Sequence, residues 1–300
     1  MAAQAKPLTA ASAALAVAVL AVAVLTLCPA AFADPVSLSR SADGHAVVEL
    51  STPSGTLRLA LDTGAETSAL TEAAITRLGL ASASTGSASL TALTGQSRVD
   101  RYTLTGAQLG GLDLPELLPV ALSDAPDSGG QLDGFLGLDA LIGRSWRIDL
   151  AANRLEPVPD RPCTPGAPSL PAIEGEINSR AILIMVDTGL TGSVGNPALA
   201  RQLSPVAGRT GRATIIGADG EAIPARMMRA RLLRAGGLDR RNVEIAIAAL
   251  PVFEAMGMTD HPALFAGMDL LNASIITLTV TGGTACVELS AARHTSFSAE

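Results

Sequence analysis

The triplet Asp-Thr-Gly occurs twice in this chain of 300 residues, each time directly after an apolar, strand-like run. The first triplet begins at Asp62 and the second at Asp187, 125 positions later (187 minus 62). If the two turns meet, both carboxylates cannot ionise together, so one pKa rises and the pair shares a proton. Such a pair can take a proton from water and donate one to a carbonyl oxygen. Asp62 and Asp187 are therefore the candidate catalytic residues.

The two residues after each aspartate suit a tight turn that supports the carboxylate. Gly64 and Gly189 have no Cβ atom, so the backbone can fold back closely at these positions. The hydroxyl groups of Thr63 and Thr188 can hydrogen-bond to backbone groups across the site. One such triplet alone is no more informative than any loop turn. Two copies in matching contexts are much harder to obtain by chance, so we interpret these four residues as support for the catalytic turns.

The similarity between the two halves continues beyond the triplets. Each triplet is followed by a predicted short helix, with Thr71 as N-cap in the first half and Asn196 as N-cap in the second. Each half later contains two apolar residues, a glycine, one further residue and an aspartate, at 135–139 (FLGLD) and 265–269 (FAGMD). Each half then closes with two predicted strands. An internal repeat of this kind predicts two units of the same fold.

These signals divide the chain into five segments. Residues 34–156 and 171–289 are predicted to form two lobes, and the proline- and glycine-rich residues 157–170 a linker. Residues 1–33 are typical of a secretory signal peptide with an Ala-x-Ala cleavage site, and residues 290–300 form a polar tail. We therefore expect a periplasmic or secreted bacterial protein without a stable membrane span. An uncleaved signal would instead anchor the protein to the membrane.

The composition favours a folded protein and argues against some partners. Hydrophobic residues make up 48%, charged residues 16% and aromatic residues 2%, which predicts a core of small aliphatic side chains. The net charge of −7 argues against nucleic acid as a partner, because phosphate binding needs a basic surface.

The cysteines and histidines say less about function. Once the signal is removed, Cys163 and Cys286 can pair in an oxidising compartment, and two unpaired buried thiols are the alternative. The histidines, at positions 45, 261 and 294, are too few and too scattered to predict a metal site or a catalytic triad. We expect neither a metal nor another cofactor.

The two halves resemble retropepsin-type aspartyl protease domains, whose pattern is two apolar residues, Asp-Ser/Thr-Gly-Ala and a later apolar-apolar-glycine segment. Their tandem order resembles the bilobal pepsin plan, with lobes of retroviral size. The resemblance covers most of residues 45–289. It implies a mostly-β fold of two pseudo-symmetric β-barrel lobes with short helices, which hydrolyses peptide bonds. It also implies a peptide or protein substrate as the partner.

The resemblance implies roles for residues outside the triplets. In the family, the apolar-apolar-glycine segment packs beneath the catalytic turn. The residues at these positions are Leu136, Gly137, Ala266 and Gly267. In the family, a β-hairpin flap closes over the substrate, and ordinary surface hairpins are the alternative here. The candidate flap residues are Thr94, Gly95, Gly217 and Gly220.

The second half departs from the family pattern at Leu190, where the family has alanine or, in pepsin-like members, serine or threonine. A branched side chain there is expected to tilt Asp187 or narrow the cleft. Three hypotheses stay open at this point. The first is an exported aspartic endopeptidase that acts as a monomer with an Asp62–Asp187 pair. The second is a protein that binds extended peptides with little or no cleavage, and the third is a homodimer that pairs Asp62 of each copy.

Overall fold

The computed structural model describes residues 34–122, 132–163, 169–206 and 211–292. The predicted signal segment, residues 1–33, lies outside these residues. Strands dominate the described part of the chain, and helices are limited to a few short turns. The predicted mostly-β fold with two lobes is confirmed.

The first half contains thirteen strands within the described residues. They are β1 (Val36–Ser37), β2 (Ser39–Arg40), β3 (Ala46–Thr52), β4 (Gly55–Leu61), β5 (Ala69–Thr71), β6 (Ser84–Thr91), β7 (Gln96–Tyr102), β8 (Gln108–Leu109), β9 (Leu112–Asp113), β10 (Val120–Leu122), β11 (Gly134–Leu136), β12 (Arg144–Asp149) and β13 (Arg154–Val158). Its helical segments are α1 (Glu72–Arg77) and 3₁₀ turns at Leu80–Ala83 and Leu138–Leu141.

The second half contains ten strands within the described residues. They are β14 (Ala172–Ile177), β15 (Arg180–Val186), β16 (Val194–Gly195), β17 (Ser204–Pro205), β18 (Arg212–Ile216), β19 (Ala222–Ala235), β20 (Leu238–Ile247), β21 (Ala263–Ala266), β22 (Ser274–Thr281) and β23 (Thr284–Ala291). Its helices are α2 (Pro197–Ala200), α3 (Pro251–Ala255) and α4 (Met268–Leu271).

Each lobe has its own sheet, and a third sheet joins the two halves. The first sheet has the order β6-β7-β10-β5-β11-β4-β3-β8-β9, with β2 attached to β3. The second has the order β14-β15-β21-β16-β20-β19-β17, and pairing of β14 with β19 closes it into a barrel. The third sheet, β1-β13-β12-β22-β23, crosses between the halves because β12 pairs with β22.

The strands that precede the two triplets occupy central positions in their sheets. Strand β4 lies between β3 and β11, and β15 lies between β14 and β21. The last three residues of both strands, 59–61 and 184–186, are buried. A strand covered on both faces needs a continuous apolar run rather than an alternating one. The apolar runs before the triplets therefore give each aspartate a rigid base.

The predicted N-caps of the two short helices are confirmed. The hydroxyl of Thr71 accepts a hydrogen bond from Ala74 N at 3.2 Å at the start of α1. The side chain of Asn196 accepts one from Leu199 N at 2.9 Å at the start of α2. In both lobes the caps satisfy backbone donors that a helix start leaves free.

Two of the predicted segment boundaries differ from the structure. Pro157 and Val158 belong to β13 and pair with β12, rather than starting the linker. Proline is tolerated there because β1 pairs only with residues 154 and 155, so the other side of β13 needs no N–H donor at Pro157. At the other end of the chain, β23 continues to Ala291, into the predicted tail.

A disulfide joins Cys163, in the linker, to Cys286 in β23. It closes a separation of 123 residues and ties the linker to the sheet shared by both halves. Closing so long a loop restricts the unfolded chain and so stabilises the folded one. In the part of the chain that the structure describes, no helix is long and apolar enough to cross a membrane.

Candidate active site

The two Asp-Thr-Gly turns leave their sheets at equivalent points. Strand β11 runs parallel to β4 and brings Leu136 beside Leu61, and β21 runs parallel to β15 in the same way. Asp62 N donates a hydrogen bond to Leu136 O at 2.9 Å, and Asp187 N donates one to Ala266 O at 3.0 Å. Each apolar-apolar-glycine segment thus continues the sheet that supports its aspartate.

The glycine of each segment lies directly against the loop that carries the aspartate. A Cβ atom on Gly137 would lie 2.7 Å from the Thr67 backbone, and one on Gly267 would lie 2.9 Å from the Leu190 carbonyl oxygen. Real Cβ atoms are not found so close to backbone atoms. The loop can pack on this segment only because these two positions lack a side chain.

A second support for each turn was not predicted. Ser68 Oγ donates to Asp139 Oδ1 at 2.6 Å and accepts from Gly137 N at 3.0 Å. The second lobe repeats this arrangement with a serine and an aspartate 125 and 130 positions later, Ser193 and Asp269. Burial raises the pKa of both aspartates. The signal for this contact was present in the sequence, since both the serine and the aspartate recur in the second half.

The threonines of the two triplets connect the lobes to each other. Thr63 N donates to Thr188 Oγ1 and Thr188 N donates to Thr63 Oγ1, both at 3.1 Å. The two hydroxyl groups then donate across the interface, Thr63 Oγ1 to Val186 O and Thr188 Oγ1 to Leu61 O, each at 2.6 Å. Both threonines are completely buried. Four reciprocal hydrogen bonds in a site shielded from water fix one turn against the other.

This connection brings the two predicted catalytic aspartates into contact. The two carboxyl groups are close enough for the charge of Asp62 to raise the pKa of Asp187. Each carboxylate also accepts from the glycine of its own turn, Gly64 N to Asp62 at 2.8 Å and Gly189 N to Asp187 at 2.9 Å. Each carboxyl group packs on the glycine of the opposite turn, where an added Cβ atom would overlap it. The structure therefore pairs Asp62 with Asp187 of the same chain.

Burial and mutual repulsion determine the electrostatics of this pair. Burial raises the pKa of Asp187 well above the ordinary value, and the charge of Asp62 raises it further. Burial also raises the pKa of Asp62, although hydrogen bonds from Gly64 N and with Asp187 offset part of the rise. Two carboxyl groups in this arrangement retain one proton between them over a broad pH range.

Two family models match the chain, one in each half. The model described as "gag-polyprotein putative aspartyl protease" matches residues 50–142, and the model described as "Aspartyl protease" matches residues 173–270. Each match contains one of the interlocked triplets and its supporting glycine segment. The chain belongs to the retropepsin-like aspartyl proteases. It carries two domains of this family in tandem, and no curated protein gives a significant match to it.

The two flap candidates of this aspartyl protease are hairpins whose tips touch. Thr94 and Gly95 lie at the tip of the β6–β7 hairpin, and Gly217 and Gly220 at the turn between β18 and β19. The Thr94 hydroxyl donates a hydrogen bond to Asp219 Oδ1. Each of the two retropepsin-like domains thus contributes one hairpin to this contact.

The Leu190 departure leaves the second turn undistorted. Leu190 O accepts from Met268 N at 2.7 Å, as Ala65 O accepts from Leu138 N at 2.9 Å in the first turn. The Leu190 side chain is partly buried and packs against the main hydrophobic core. The expected tilt of Asp187 is therefore wrong, because the extra carbon atoms are accommodated in the core.

The described residues contain no group of three or more His, Cys, Asp or Glu side chains arranged to hold a metal ion. At this site the two carboxyl groups face each other, with Asp187 buried and Asp62 partly exposed.

Proposed function

We propose that this protein is an exported aspartic-type endopeptidase, in which Asp62 and Asp187 of one chain activate the water that hydrolyses the peptide bond. The observation that carries the proposal is the mutual packing of the two turns. Each carboxyl group lies on the glycine of the other turn, so a water molecule bound by one aspartate is within reach of the other.

The proposed mechanism uses the single proton that the pair retains. The ionised carboxylate takes a proton from the bound water, and the protonated carboxyl donates its proton to the oxygen of the scissile carbonyl. A tetrahedral intermediate forms without a covalent bond to the enzyme. Because the two groups titrate together, their apparent pKa values belong to the pair. The two touching hairpins are suited to open for a peptide and to close over it.

The proposal includes export to the periplasm or the medium, with removal of residues 1–33. The apolar stretch and the Ala-x-Ala site at 31–33 support it, and so does a disulfide, which persists in oxidising compartments. Sequencing the N-terminus of the protein made in bacteria tests it, and the expected first residue is Asp34. An intact N-terminus would support membrane anchoring instead.

Peptide cleavage by single-residue variants tests the catalytic part. We expect Asp62→Asn and Asp187→Asn each to abolish cleavage of a mixed peptide library between pH 3 and pH 7 while the protein stays folded. Asp260→Asn, a change at an exposed aspartate in the second lobe, is the matched control and should keep full activity. Pepstatin-type inhibitors should block the wild-type enzyme.

Three outcomes would contradict the proposal in different ways. Full activity in either catalytic variant would exclude the pair within one chain. Activity that needs a dimer and survives Asp187→Asn would favour pairing of Asp62 between two copies. Binding of extended peptides by a wild-type protein that cleaves none of them would support the peptide-binding hypothesis.

A further inference from the structure

A buried histidine of the first lobe contacts the catalytic turn of the second lobe. His45 directly precedes β3 and is 8% exposed. Its Nε2 atom lies 3.0 Å from the carbonyl oxygen of Gly189, the glycine of the second triplet. Its ring also packs edge-on against Phe135, with the ring centroids 6.1 Å apart. None of the proposed catalytic steps uses this side chain.

The other ring nitrogen faces a carboxylate that the same turn holds in place. His45 Nδ1 lies 3.0 Å from Asp43 Oδ1, at an ion-pair distance without the alignment of a straight hydrogen bond. The hydroxyl of Ser41 donates to the same oxygen of Asp43 and accepts from His45 N at 2.9 Å. Asp43 and the histidine ring are therefore positioned by the same local turn.

The atoms that face the ring favour one protonation state. A backbone carbonyl oxygen and a carboxylate oxygen are both acceptors, so an N–H group at each ring nitrogen suits both neighbours. Only the imidazolium form has two N–H groups, because the neutral ring presents a lone pair to one of its neighbours. Burial opposes ionisation of Asp43, but the Ser41 hydroxyl and the His45 charge outweigh it and lower the pKa of Asp43.

The Gly189 peptide links this histidine to both catalytic carboxyl groups. Gly189 N donates to Asp187 Oδ1, the Gly189 Cα atom lies against the Asp62 carboxyl group, and the Gly189 carbonyl faces His45. A shift of this peptide would therefore move the support of one aspartate and the packing of the other. A positive charge on His45 would also favour the ionised form of Asp62.

In the part of the chain that the structure describes, the first turn has no histidine at the position equivalent to His45. The repeat aligns β3 with β14 at an offset of 125, since Val47 pairs with Ala60 where Ala172 pairs with Met185. The same offset places Leu170 at the position of His45 (170 minus 45). Leu170 is buried, but a leucine side chain offers neither charge nor a hydrogen-bond donor. The histidine therefore breaks the symmetry of an otherwise duplicated site.

We propose that His45, as an imidazolium, is a positioning residue that holds the Gly189 peptide and stabilises the singly protonated state of the Asp62–Asp187 pair. This assignment rests on the proposed function for its catalytic meaning, but the charge on His45 can be measured without catalysis. Three carboxyl groups face this arrangement: Asp43 beside the ring, Asp62 within reach of its charge, and Asp187 beside Asp62.

The first test measures the ring of His45 in the wild-type protein. In protein labelled with ¹⁵N-histidine, the two ring nitrogens of His45 should both be protonated at the pH where the aspartate pair carries one proton. The resonances are assigned by their loss in His45→Gln, and those of His261, which is exposed, provide the reference. A neutral His45 ring at that pH would overturn the proposal, whether or not the protein cleaves peptides.

The second test compares pH–rate profiles of charge variants. His45→Gln keeps a donor but loses the charge, and should move the acidic limb of kcat/KM upward by about half to one pH unit, a loss of about three- to tenfold at low pH. His45→Arg keeps a permanent cation and should leave that limb near its wild-type position. The matched control His261→Gln should change nothing.

The outcomes of these tests distinguish a failure of the His45 proposal from a failure of the proposed peptidase function. A lower rate with an unchanged acidic limb in His45→Gln would mean that the side chain is merely structural, and would overturn the assignment. A limb displaced equally in the arginine and glutamine variants would show that charge is not the cause, with the same consequence. Absence of peptide hydrolysis by the wild type would instead contradict the proposed function, and the ring measurement would then decide the role of His45 alone.

Discussion

The two Asp-Thr-Gly turns share their hydrogen bonds but differ in the residues behind them. Both aspartates accept from the glycine two positions later, at 2.8 and 2.9 Å, and both turns rest on a serine–aspartate contact of 2.6 Å. Behind these contacts, Ala65 is matched by Leu190 and His45 by Leu170. The duplicated site is symmetric in the hydrogen bonds that support the turns. It is asymmetric in the side chains that determine charge and packing behind them.

The outer parts of the two lobes differ more than the turns. In the second lobe, β19 and β20 form one continuous hairpin of 14 and 10 residues. In the first lobe the corresponding region is divided into β7, β8, β9 and β10, none longer than 7 residues. The reciprocal hydrogen bonds between the lobes therefore restrict the conformation of the turns, whereas the outer hairpins can differ in length and continuity.

The largest expected effect tests the close packing that both turns share. Gly64→Ala and Gly189→Ala each place a methyl group where the opposite carboxyl group lies. The pair must separate, and a displacement of about 1 Å at a catalytic centre costs about a hundredfold in rate. We expect both variants to lose at least about a hundredfold in kcat/KM on a peptide substrate.

Gly192→Ala is the control for these two variants. Gly192 lies in the same loop as the second triplet, but a Cβ atom there would meet open space, so the activity should be nearly unchanged. If only one of the two triplet glycines is sensitive, the turns are not equivalent, and the symmetric part of the comparison is wrong.

The sequence was sufficient to predict the parts of the site that are local and repeated. Apolar runs before Asp62 and Asp187 predicted the central strands, and the caps Thr71 and Asn196 predicted the helix starts, because each signal acts within a few residues. The repeat also predicted the contact between the two distant turns, since two similar halves are expected to meet about a pseudo-two-fold axis.

The contacts that cross the molecule could not be predicted in this way. His45 gave no signal because its partner, Gly189, is 144 positions away and its importance depends on a hydrogen bond to a backbone group. The contact between Thr94 and Asp219 depends on how two hairpins are oriented. The sequence shows a leucine at position 190, and so predicts a distorted second turn. It does not show the space in the core that receives this side chain.

The second prediction concerns the pH dependence of stability that the buried aspartate pair causes. A carboxyl group whose folded-state pKa is raised contributes stability that is complete below its unfolded pKa, about 3.9, and that is lost as pH rises through the folded-state value. Burial raises the pKa of both aspartates, and the pair shares its proton. We therefore expect Asp187→Asn and Asp62→Asn each to reduce the loss of unfolding free energy between pH 4 and pH 7.

Urea unfolding at several pH values measures this difference. Burial also raises the pKa values of Asp139 and Asp269, but these groups are common to all variants and cancel in the comparison. Asp260→Asn should follow the wild-type curve. Parallel curves for the wild type and Asp187→Asn would mean that the folded protein does not hold a proton on the pair.

The smallest expected effect tests the difference between Ala65 and Leu190. Because the Leu190 side chain packs on the core and the turn keeps its hydrogen bonds, Leu190→Ala should lower the unfolding free energy by about 1 kcal/mol. The rate kcat should change by less than about threefold, which corresponds to less than about 1 kcal/mol in the barrier. Leu203→Ala, at another partly buried leucine packed on the same core, is the matched control for the stability change. A tenfold rise in kcat for Leu190→Ala alone would show that this side chain obstructs the cleft, and that the two turns differ in catalysis as well as in packing.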